Sequence, residues 1–151
     1  MTAAAATKTA RRIAGQCLAR RARIISRAVS GLYEDALRPH GITTAQMSIL
    51  VAVTARGETG PGDVAAALCL EKSSLSRNLD RMIAHGWVEV VSGDDARSQR
   101  LQVTPGGAKL LQRAAPAWRS AQKKTRALLG EPGAAALHRL GDRVIAWGRP
   151  D

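Results

Sequence analysis

The chain has 151 residues, of which 45% are hydrophobic but only 3% aromatic, so its core must consist mainly of aliphatic side chains and helices are favoured. This length suits a single domain with a sizeable core. A formal net charge of +11 favours nucleic acid as a partner, although an Arg- and Ala-rich composition is also typical of GC-rich genomes.

Two cysteines, Cys17 and Cys69, in a chain without a secretory signal argue against a disulfide framework. The longest apolar run is far too short to cross a bilayer. The first 15 residues are acid-free and carry Arg, as transit peptides do, but their helical pattern continues into the domain. These features predict a cytoplasmic protein that does not associate with membranes.

The N-terminal region is predicted to form a long helix behind a short tail. Residues 1–9 are small and polar and should be disordered. From residue 10 to 38, apolar residues recur at steps of three and four, which predicts one helix with one apolar stripe. Because a small domain cannot cover a helix of this length, part of the stripe should contact a second subunit.

Two shorter helices should follow the break at Pro39-His40-Gly41. Thr43 or Thr44 can cap the first of them, which should end near Arg56-Gly57. Pro61 is well placed to begin the next. Buried positions are expected at Met47, Leu50, Val51 and Val53 in the first and at Val64, Ala65 and Leu68 in the second.

The next helix carries the strongest functional signal. Leu75, Leu79, Met82 and Ile83 recur with helical spacing and define its inner face. The opposite face is small, polar and basic, so it can contact base edges and phosphates in a DNA groove, although an ordinary solvated face has the same appearance. The candidate DNA-binding residues on this helix are Lys72, Ser73, Ser74, Ser76, Arg77 and Arg81.

Gly86 should end this helix, and two strands, 87–91 and 100–104, should form a hairpin behind it. A hairpin after a recognition helix is typical of a winged helix. Arg97 lies at the hairpin tip, where it can enter the minor groove, and Asp95 can orient its guanidinium. The alternative is a charged turn that forms only a surface ion pair.

The runs SSLSRNLDRMIAHGWVEVV and DDARSQRLQVTPGGAKLL resemble the MarR family of bacterial winged-helix repressors. That family has a Ser/Thr-rich recognition helix, a Leu-x-Arg-Leu-x-x-x-Gly-Leu/Trp-Val core, a D-x-R-x-x-R wing and a Leu-Thr-x-x-Gly strand end. In this chain the wing motif is Asp95, Arg97 and Arg100, and the strand end is 103–107. The similarity extends upstream through LYEDALRPHGITTAQMSIL and so covers nearly the whole chain from Ala10.

The resemblance implies a mostly α-helical winged helix-turn-helix with a small β-hairpin, in which residues 10–151 form a single unit. Residues 43–104 would form the DNA-binding region, and helices within 10–38 and 105–148 the dimerisation region. The homodimer would place each recognition helix in the major groove of a pseudo-palindromic operator and each wing in the adjacent minor groove. The implied function is that of a repressor that a small aromatic or phenolic effector releases from DNA.

The C-terminal third is predicted to form two apolar helices. Gly130 and Pro132-Gly133 should end the first, and Pro116 should kink or locally break it. Apolar stripes at both ends of a chain favour an intersubunit bundle over a single-chain core. The predicted inner-face residues are Leu110, Leu111, Ala114, Trp118, Ala121 and Leu128, followed by Leu137, Leu140, Val144 and Trp147.

Cys17 is a candidate redox residue because the arginines that follow it could stabilise a thiolate. In the peroxide-sensing branch of the MarR family, two tyrosines hydrogen-bond a cysteine on the first helix, and Tyr33 matches one of them. Thr44 stands at the other position, and Cys17 is offset by about two residues, which turns it to another helix face. A buried structural role is therefore favoured for Cys17 and Cys69, with a thiol-oxidation switch as the alternative.

No pattern in the chain points to catalysis. The three histidines are scattered, no Cys/His spacing suggests zinc, and there is no glycine-rich phosphate loop. The chain is therefore predicted not to be an enzyme and to hold no cofactor or metal. A nonspecific basic protein that coats DNA remains an alternative, since it needs only a positive surface.

Overall fold

The computed structural model describes residues 3–93 and 99–148, which form six α-helices and one two-stranded sheet. In chain order the elements are α1 (Ala3–Gln16), α2 (Leu18–Leu37), a 3-10 turn (Arg38–His40), α3 (Thr44–Arg56), α4 (Pro61–Leu68), α5 (Lys72–Ala84), β1 (Val88–Ser92), β2 (Gln99–Val103) and α6 (Pro105–Trp147). The predicted fold class, mostly helical with a small hairpin, is confirmed.

The N-terminal region differs from the single helix predicted for residues 10–38. The helix begins at Ala3, so residues 3–9 are helical rather than part of a disordered tail, because alanine has the highest helix propensity. It then breaks at Cys17, whose backbone is extended. The Cys17 Sγ accepts a hydrogen bond from the Arg20 amide at 3.4 Å and so caps α2. α1 has no buried residue, which leaves α2 as the first helix to join the core.

The core lies between α3 and the elements around it. Thr43 caps α3 through a capping box, in which its Oγ1 accepts from the Gln46 amide and its own amide donates to Gln46 Oε1. Because α3 contacts α2, α4, α5, α6 and β2, it is buried on more than one side. Ile49 and Ala52 are therefore buried beside Met47, Leu50 and Val53. The prediction that Val51 is buried was wrong, since 45% of it is exposed in the single chain.

The hairpin forms as predicted, with antiparallel register from Val88 opposite Val103 to Ser92 opposite Gln99. A third partner of the hairpin was not predicted. Thr59 forms a bridge to Leu101, with N···O distances of 3.2 and 2.8 Å, and both residues are buried. The base of the hairpin is thereby joined to the loop that precedes α4.

The junction between the hairpin and α6 is unusually close. Thr104 caps α6, since its Oγ1 accepts from the Gly107 amide at 3.1 Å and donates to the Gly86 carbonyl at 2.5 Å. A Cβ on Gly107 would lie 2.1 Å from the Trp87 carbonyl oxygen, so only glycine fits there. The Thr-x-x-Gly spacing thus has a packing cause.

α6 is bent at Gly130, whose φ of 68° and ψ of 162° are not helical. The bend divides α6 into a first arm, 105–129, and a second arm, 131–147. The predicted local break at Pro116 was wrong, because the backbone there keeps helical torsion angles. Ala114 and Ala121 are buried on either side of that proline and hold the first arm in place.

Large apolar side chains remain exposed on the single chain. Some of them, namely Leu18, Ile25 and Ile145, lie outside the apolar stripes that the sequence predicted. Others were predicted to face inward, such as Ile83 and Trp118, which are 39% and 41% exposed. The exposed residues on the predicted stripes are Ile13, Ile24, Leu128, Leu137, Leu140, Val144 and Trp147.

Candidate nucleic-acid interface

α5 separates its apolar and polar residues onto opposite faces. Leu75, Leu79 and Met82 are buried in the core, which leaves the other side of the helix in solvent. Five of the six sequence-predicted residues lie on the polar side, whereas Lys72, in the first turn, lines a groove with Leu79 and Ile83; all six but the half-buried Ser74 are exposed. The exposed ones are Lys72, Ser73, Ser76, Arg77 and Arg81.

Ser74 has a local structural role. Its Oγ accepts a hydrogen bond from Arg77 Nη2 at 3.4 Å, and its carbonyl accepts from Asn78 Nδ2 at 2.9 Å. The first contact steadies an otherwise flexible guanidinium near the middle of the exposed face, which reduces the entropy that Arg77 would lose on contact with a ligand.

A tight turn sets the angle between α4 and α5. Cys69 adopts a left-handed conformation, with φ of 50°, which is uncommon for a residue other than glycine. The amides of Cys69 and Leu70 donate to the carbonyls of Ala66 and Ala65 and so close the end of α4. Three residues thus separate two helices, as in a helix-turn-helix. The prediction that Cys69 is buried was wrong, since it is exposed.

The hairpin lies directly after α5. Asp95 and Arg97, the predicted wing tip, lie outside the residues that the structure describes. Arg100 is half-buried, opposite Val91 in the ladder, and its Nη1 is 3.9 Å from the position of a Cβ on Gly60. This arginine therefore points toward the start of α4 and can brace the wing against it.

Positive charge is concentrated on the supporting helices. Residues 1–33 contain seven Lys and Arg and no carboxylate, and residues 96–130 contain eight and none. α2 and the first arm of α6 pack against each other, and their cations are exposed. α5 itself carries three cations and Asp80. Much of the excess charge therefore lies away from the exposed face of α5.

The predicted redox pair is not brought together. Cys17 lies at the start of α2 and Tyr33 sixteen positions later, which on a continuous helix is a separation of about 24 Å. The Tyr33 hydroxyl instead donates to Gln122 Oε1 on α6. Cys17 is half-buried, so neither cysteine is a fully buried structural residue.

Two cavities flank Tyr33. The upper cavity, of about 400 Å³, lies between α2, α3 and α6 and is lined by Thr44, Met47 and Trp118 among others. The lower cavity, of about 160 Å³, lies between α2 and the bend of α6. Each contains one threonine, Thr44 or Thr125, whose buried Oγ1 has no hydrogen-bond partner among the residues described.

Within the described ranges, 3–93 and 99–148, three or more His, Cys, Asp or Glu side chains never group as a metal site requires. Every helix among these described residues is too short or too polar to span a lipid bilayer.

Comparison with known proteins identifies the family to which this arrangement belongs. The family model described as "MarR family" matches residues 40–98, the segment from the 3-10 turn to the hairpin. A crystal structure of the Mycobacterium tuberculosis transcriptional regulator MosR in complex with DNA is 32% identical, with a TM-score of 0.73, over 85% of this chain and 96% of that one. The chain belongs to the MarR family.

Further relatives agree with this assignment. The multiple antibiotic resistance protein MarR of Escherichia coli is 31% identical over 80 residues, which are 52% of this chain and 56% of that protein. The chain thus matches little more than half the length of the curated relatives. Bordetella bronchiseptica BpsR, whose structure concerns regulation of DNA binding by 6-hydroxynicotinic acid, has a TM-score of 0.74 over 83% of this chain and 96% of that one. At 19% identity it supports the MarR fold alone.

Proposed function

We propose that this MarR-family chain is a cytoplasmic, homodimeric transcriptional regulator without enzymatic activity, which represses by binding a pseudo-palindromic operator in duplex DNA. α5 would enter the major groove and the wing the adjacent minor groove. The observation that carries the proposal is the exposed basic and hydroxyl face of α5, held by a three-residue turn behind α4 and followed directly by the hairpin.

The DNA-binding residues proposed on α5 are those of its exposed face, with Ser74 as support for Arg77. At the wing, Asp95 and Arg97 remain proposed from the sequence. Arg100 is proposed to act mainly by bracing the wing, because it lies beside Gly60. A contact with phosphate is compatible with this position, since Arg100 is only half-buried.

The direct test is a titration of the chain's own upstream promoter DNA by gel shift, with random duplex as competitor. Arg77→Gln should weaken operator binding by about 1–3 kcal/mol and change the preferred base, because a bidentate guanidinium contact reads guanine. Arg113→Gln is the matched control, since it removes an exposed cation from the first arm of α6. An equal loss of affinity for all DNA sequences would indicate that Arg77 contacts phosphate and not a base.

Arg97→Ala tests the wing in the same assay. Loss of a minor-groove arginine should cost about 1–3 kcal/mol while the far-UV circular dichroism spectrum stays unchanged. Unchanged operator affinity would remove Arg97 from the proposed interface.

The proposed dimer is supported by apolar surface that the single chain leaves in solvent. Trp147 is 74% exposed and Leu140 58%, and an apolar groove between α2, the end of α4 and the second arm continues this surface. A partner's helices would cover it. Sedimentation at micromolar concentration should therefore give a dimer, and a folded monomer would contradict the proposal.

Release by a small aromatic or phenolic effector is proposed for the upper cavity. It adjoins α2 and α6 of the dimerisation region and α3 of the winged unit, residues 43–104. A ligand there therefore contacts both regions. Thiol oxidation is a weaker alternative, since Cys17 lies far along α2 from Tyr33. DNA release by peroxide from wild type but not from Cys17→Ser would favour oxidation.

Nonspecific coating of DNA is a second candidate, because the two acid-free segments put many cations on the supporting helices. Such binding depends almost entirely on counterion release and falls steeply with salt. A sequence-specific regulator should keep an affinity ratio of about 10³ or more between operator and random duplex at physiological salt. A ratio near one would favour the coating protein.

A further inference from the structure

The first helix, α1, adds nothing to the core of the single chain, because none of its residues is buried. It is nevertheless firmly attached to α2. The Cys17 amide donates to the Ile13 carbonyl at 2.9 Å, and Arg20 Nη1 donates to the Ala14 carbonyl at 3.3 Å, so hydrogen bonds span the break at Cys17. A helix that is attached in this way, yet packs into no core, is available for contact with another molecule.

The residues of α1 divide into a cationic side and a side of small apolar residues. Lys8, Arg11 and Arg12 are spaced by three and four positions, which places them on one side of the helix. All three are exposed, and none forms a salt bridge with a described carboxylate. The other side consists mainly of alanines and Ile13. A second subunit could therefore cover the apolar side while the cationic side stays in solvent.

Positive charge continues from α1 onto α2. Arg20, Arg23 and Arg27 follow at steps of three and four, on the side of the helix opposite Val29, which is the first half-buried residue of α2. Residues 1–33 contain no carboxylate, so nothing within this segment offsets the charge. The first two helices thus present seven exposed cations to solvent.

The relative direction of α2 and the second arm of α6 shows where α1 is joined to the fold. Val29 shares the lower cavity with Ala134. Farther toward the start of α2, Ala22 shares the apolar groove at the end of α4 with Ile145. Positions fall along α2 as they rise along the second arm, so the two helices run antiparallel.

The second arm ends beside the recognition helix. Ile145 lines a groove with Lys72 and Ser73, the first two residues of α5. Leu18 begins α2 four residues before Ala22, which is about 6 Å farther in the same direction. α1 is therefore joined to the fold at the end of the molecule where α5 begins.

We propose that α1 is an additional DNA-binding element, whose cationic side contacts the sugar-phosphate backbone beside the major-groove site of α5. This inference rests on the DNA-binding function proposed above. α5 carries only three cations and Asp80, so by itself it neutralises few phosphates. Contacts from α1 to phosphate would add affinity without adding sequence information.

A lipid surface suits α1 less well than DNA does. Helices that lie on membranes combine cations with large apolar residues such as Trp, Phe and Leu. Ile13 is the one large apolar residue in α1, and the rest of that side is mainly alanine. The composition of α1 therefore favours a phosphate backbone over a bilayer.

The test replaces Lys8, Arg11 and Arg12 together by Gln in the full-length protein. Gln has a helix propensity close to that of Lys and Arg, so the variant loses charge and keeps the helix. Each phosphate contact contributes about 0.9 to the slope of log Kd against log salt concentration. With three contacts from each chain of a dimer, the slope should fall by roughly 3–5 and the operator Kd at low salt should rise about tenfold or more.

A matched control removes the same charge from another helix. Arg119, Lys123 and Lys124 are exposed and begin about 20 Å along α6 from the wing. Their combined replacement by Gln should change the salt slope by less than about one. An equal fall in slope for the two triple variants would mean that overall charge, and not α1, attracts DNA. That result would overturn the proposal.

Hydroxyl-radical footprinting locates the contact on the DNA. Wild type should protect backbone positions that the α1 variant leaves open, while both proteins prefer the same bases because phosphate contacts do not read sequence. Identical footprints would contradict a contact from α1.

Two further measurements separate DNA from other partners of the cationic side. The α1 variant should sediment as wild type does, and loss of the dimer in this variant alone would assign the cationic side to subunit contact. Phosphatidylglycerol vesicles should not bind wild type better than the variant. Vesicle binding that the variant loses, with an unchanged salt slope on DNA, would assign α1 to membranes and overturn the proposal.

The salt slope can also be measured on random duplex, which separates this proposal from the sequence-specific regulator. If wild type shows no preference for its promoter but the α1 variant still lowers the slope on random duplex, α1 binds DNA and the regulator fails. If wild type prefers its promoter but the slope is the same in the α1 variant, only the role of α1 fails.

Discussion

The winged unit and the terminal helices obtain their stability in different ways. Between Thr43 and Thr104 the apolar residues are mostly enclosed by the chain itself, with Leu50, Val53 and Met82 fully buried. On α1 and the second arm of α6 most large apolar residues are exposed. The comparison indicates that one region folds on its own contacts, while the other needs a second surface to bury its stripe.

The largest effect should come from opening the core of the winged unit. Leu50→Ala removes a fully buried side chain and should lower the free energy of unfolding by about 2–5 kcal/mol, measured by urea denaturation. Leu140→Ala, on the second arm, removes the same atoms from a side chain that is 58% exposed. It should change protomer stability little and instead raise the dimer dissociation constant. Similar losses for both variants would remove the distinction between the regions.

A glycine at the boundary tests how tightly the two regions are joined. Gly107→Ala should destabilise the fold by about 3 kcal/mol, because the added Cβ would meet the backbone carbonyl of Trp87 rather than a movable side chain. Gly31→Ala in α2 is the control, since a Cβ there meets nothing within 4 Å. The Gly31→Ala substitution should raise the free energy of unfolding by about 0.5–1 kcal/mol. A neutral Gly107→Ala would mean that the junction can relax.

The smallest change in stability should come from the N-terminal cap of α3, where the winged unit begins. Thr43→Ala removes the capping box of α3 and should cost roughly 1 kcal/mol in thermal or urea unfolding. Ser48→Ala, within the same helix, removes a hydroxyl that only bonds back to the Thr44 carbonyl and should be neutral. If both changes have the same effect, the stability of α3 does not depend on its cap.

The sequence predicted best where local chemistry decides the structure. Thr43, Pro61 and Gly86 mark element ends through capping, fixed torsion and a positive φ, and the structure begins or ends its elements beside them. Alternation of apolar residues gave both strands to within a residue. These signals act within a few positions along the chain, so no knowledge of distant contacts was needed.

Prediction from the sequence failed where contacts between distant parts of the chain determine the structure. Val51 and Ile49 have the same kind of side chain, and only the arrangement of the elements around α3 determines which is buried. Cys17 itself is neither glycine nor proline, and the apolar spacing continues through it, so periodicity gives no sign of the break that the structure has there. The polar face of α5 was placed correctly, but the position of Arg100 beside Gly60 depends on a bridge between Thr59 and Leu101 that no periodicity announces.

The contact between Gly107 and the Trp87 carbonyl has a further consequence for DNA recognition. Because Gly107 in the first turn of α6 packs directly against the Trp87 carbonyl at the base of the hairpin, the hairpin cannot rotate independently of α6. In a dimer that pairs through the α6 helices, the distance between the two hairpins would therefore be fixed. Such a protein should tolerate changes in half-site sequence better than the insertion of even a single base pair between the half-sites.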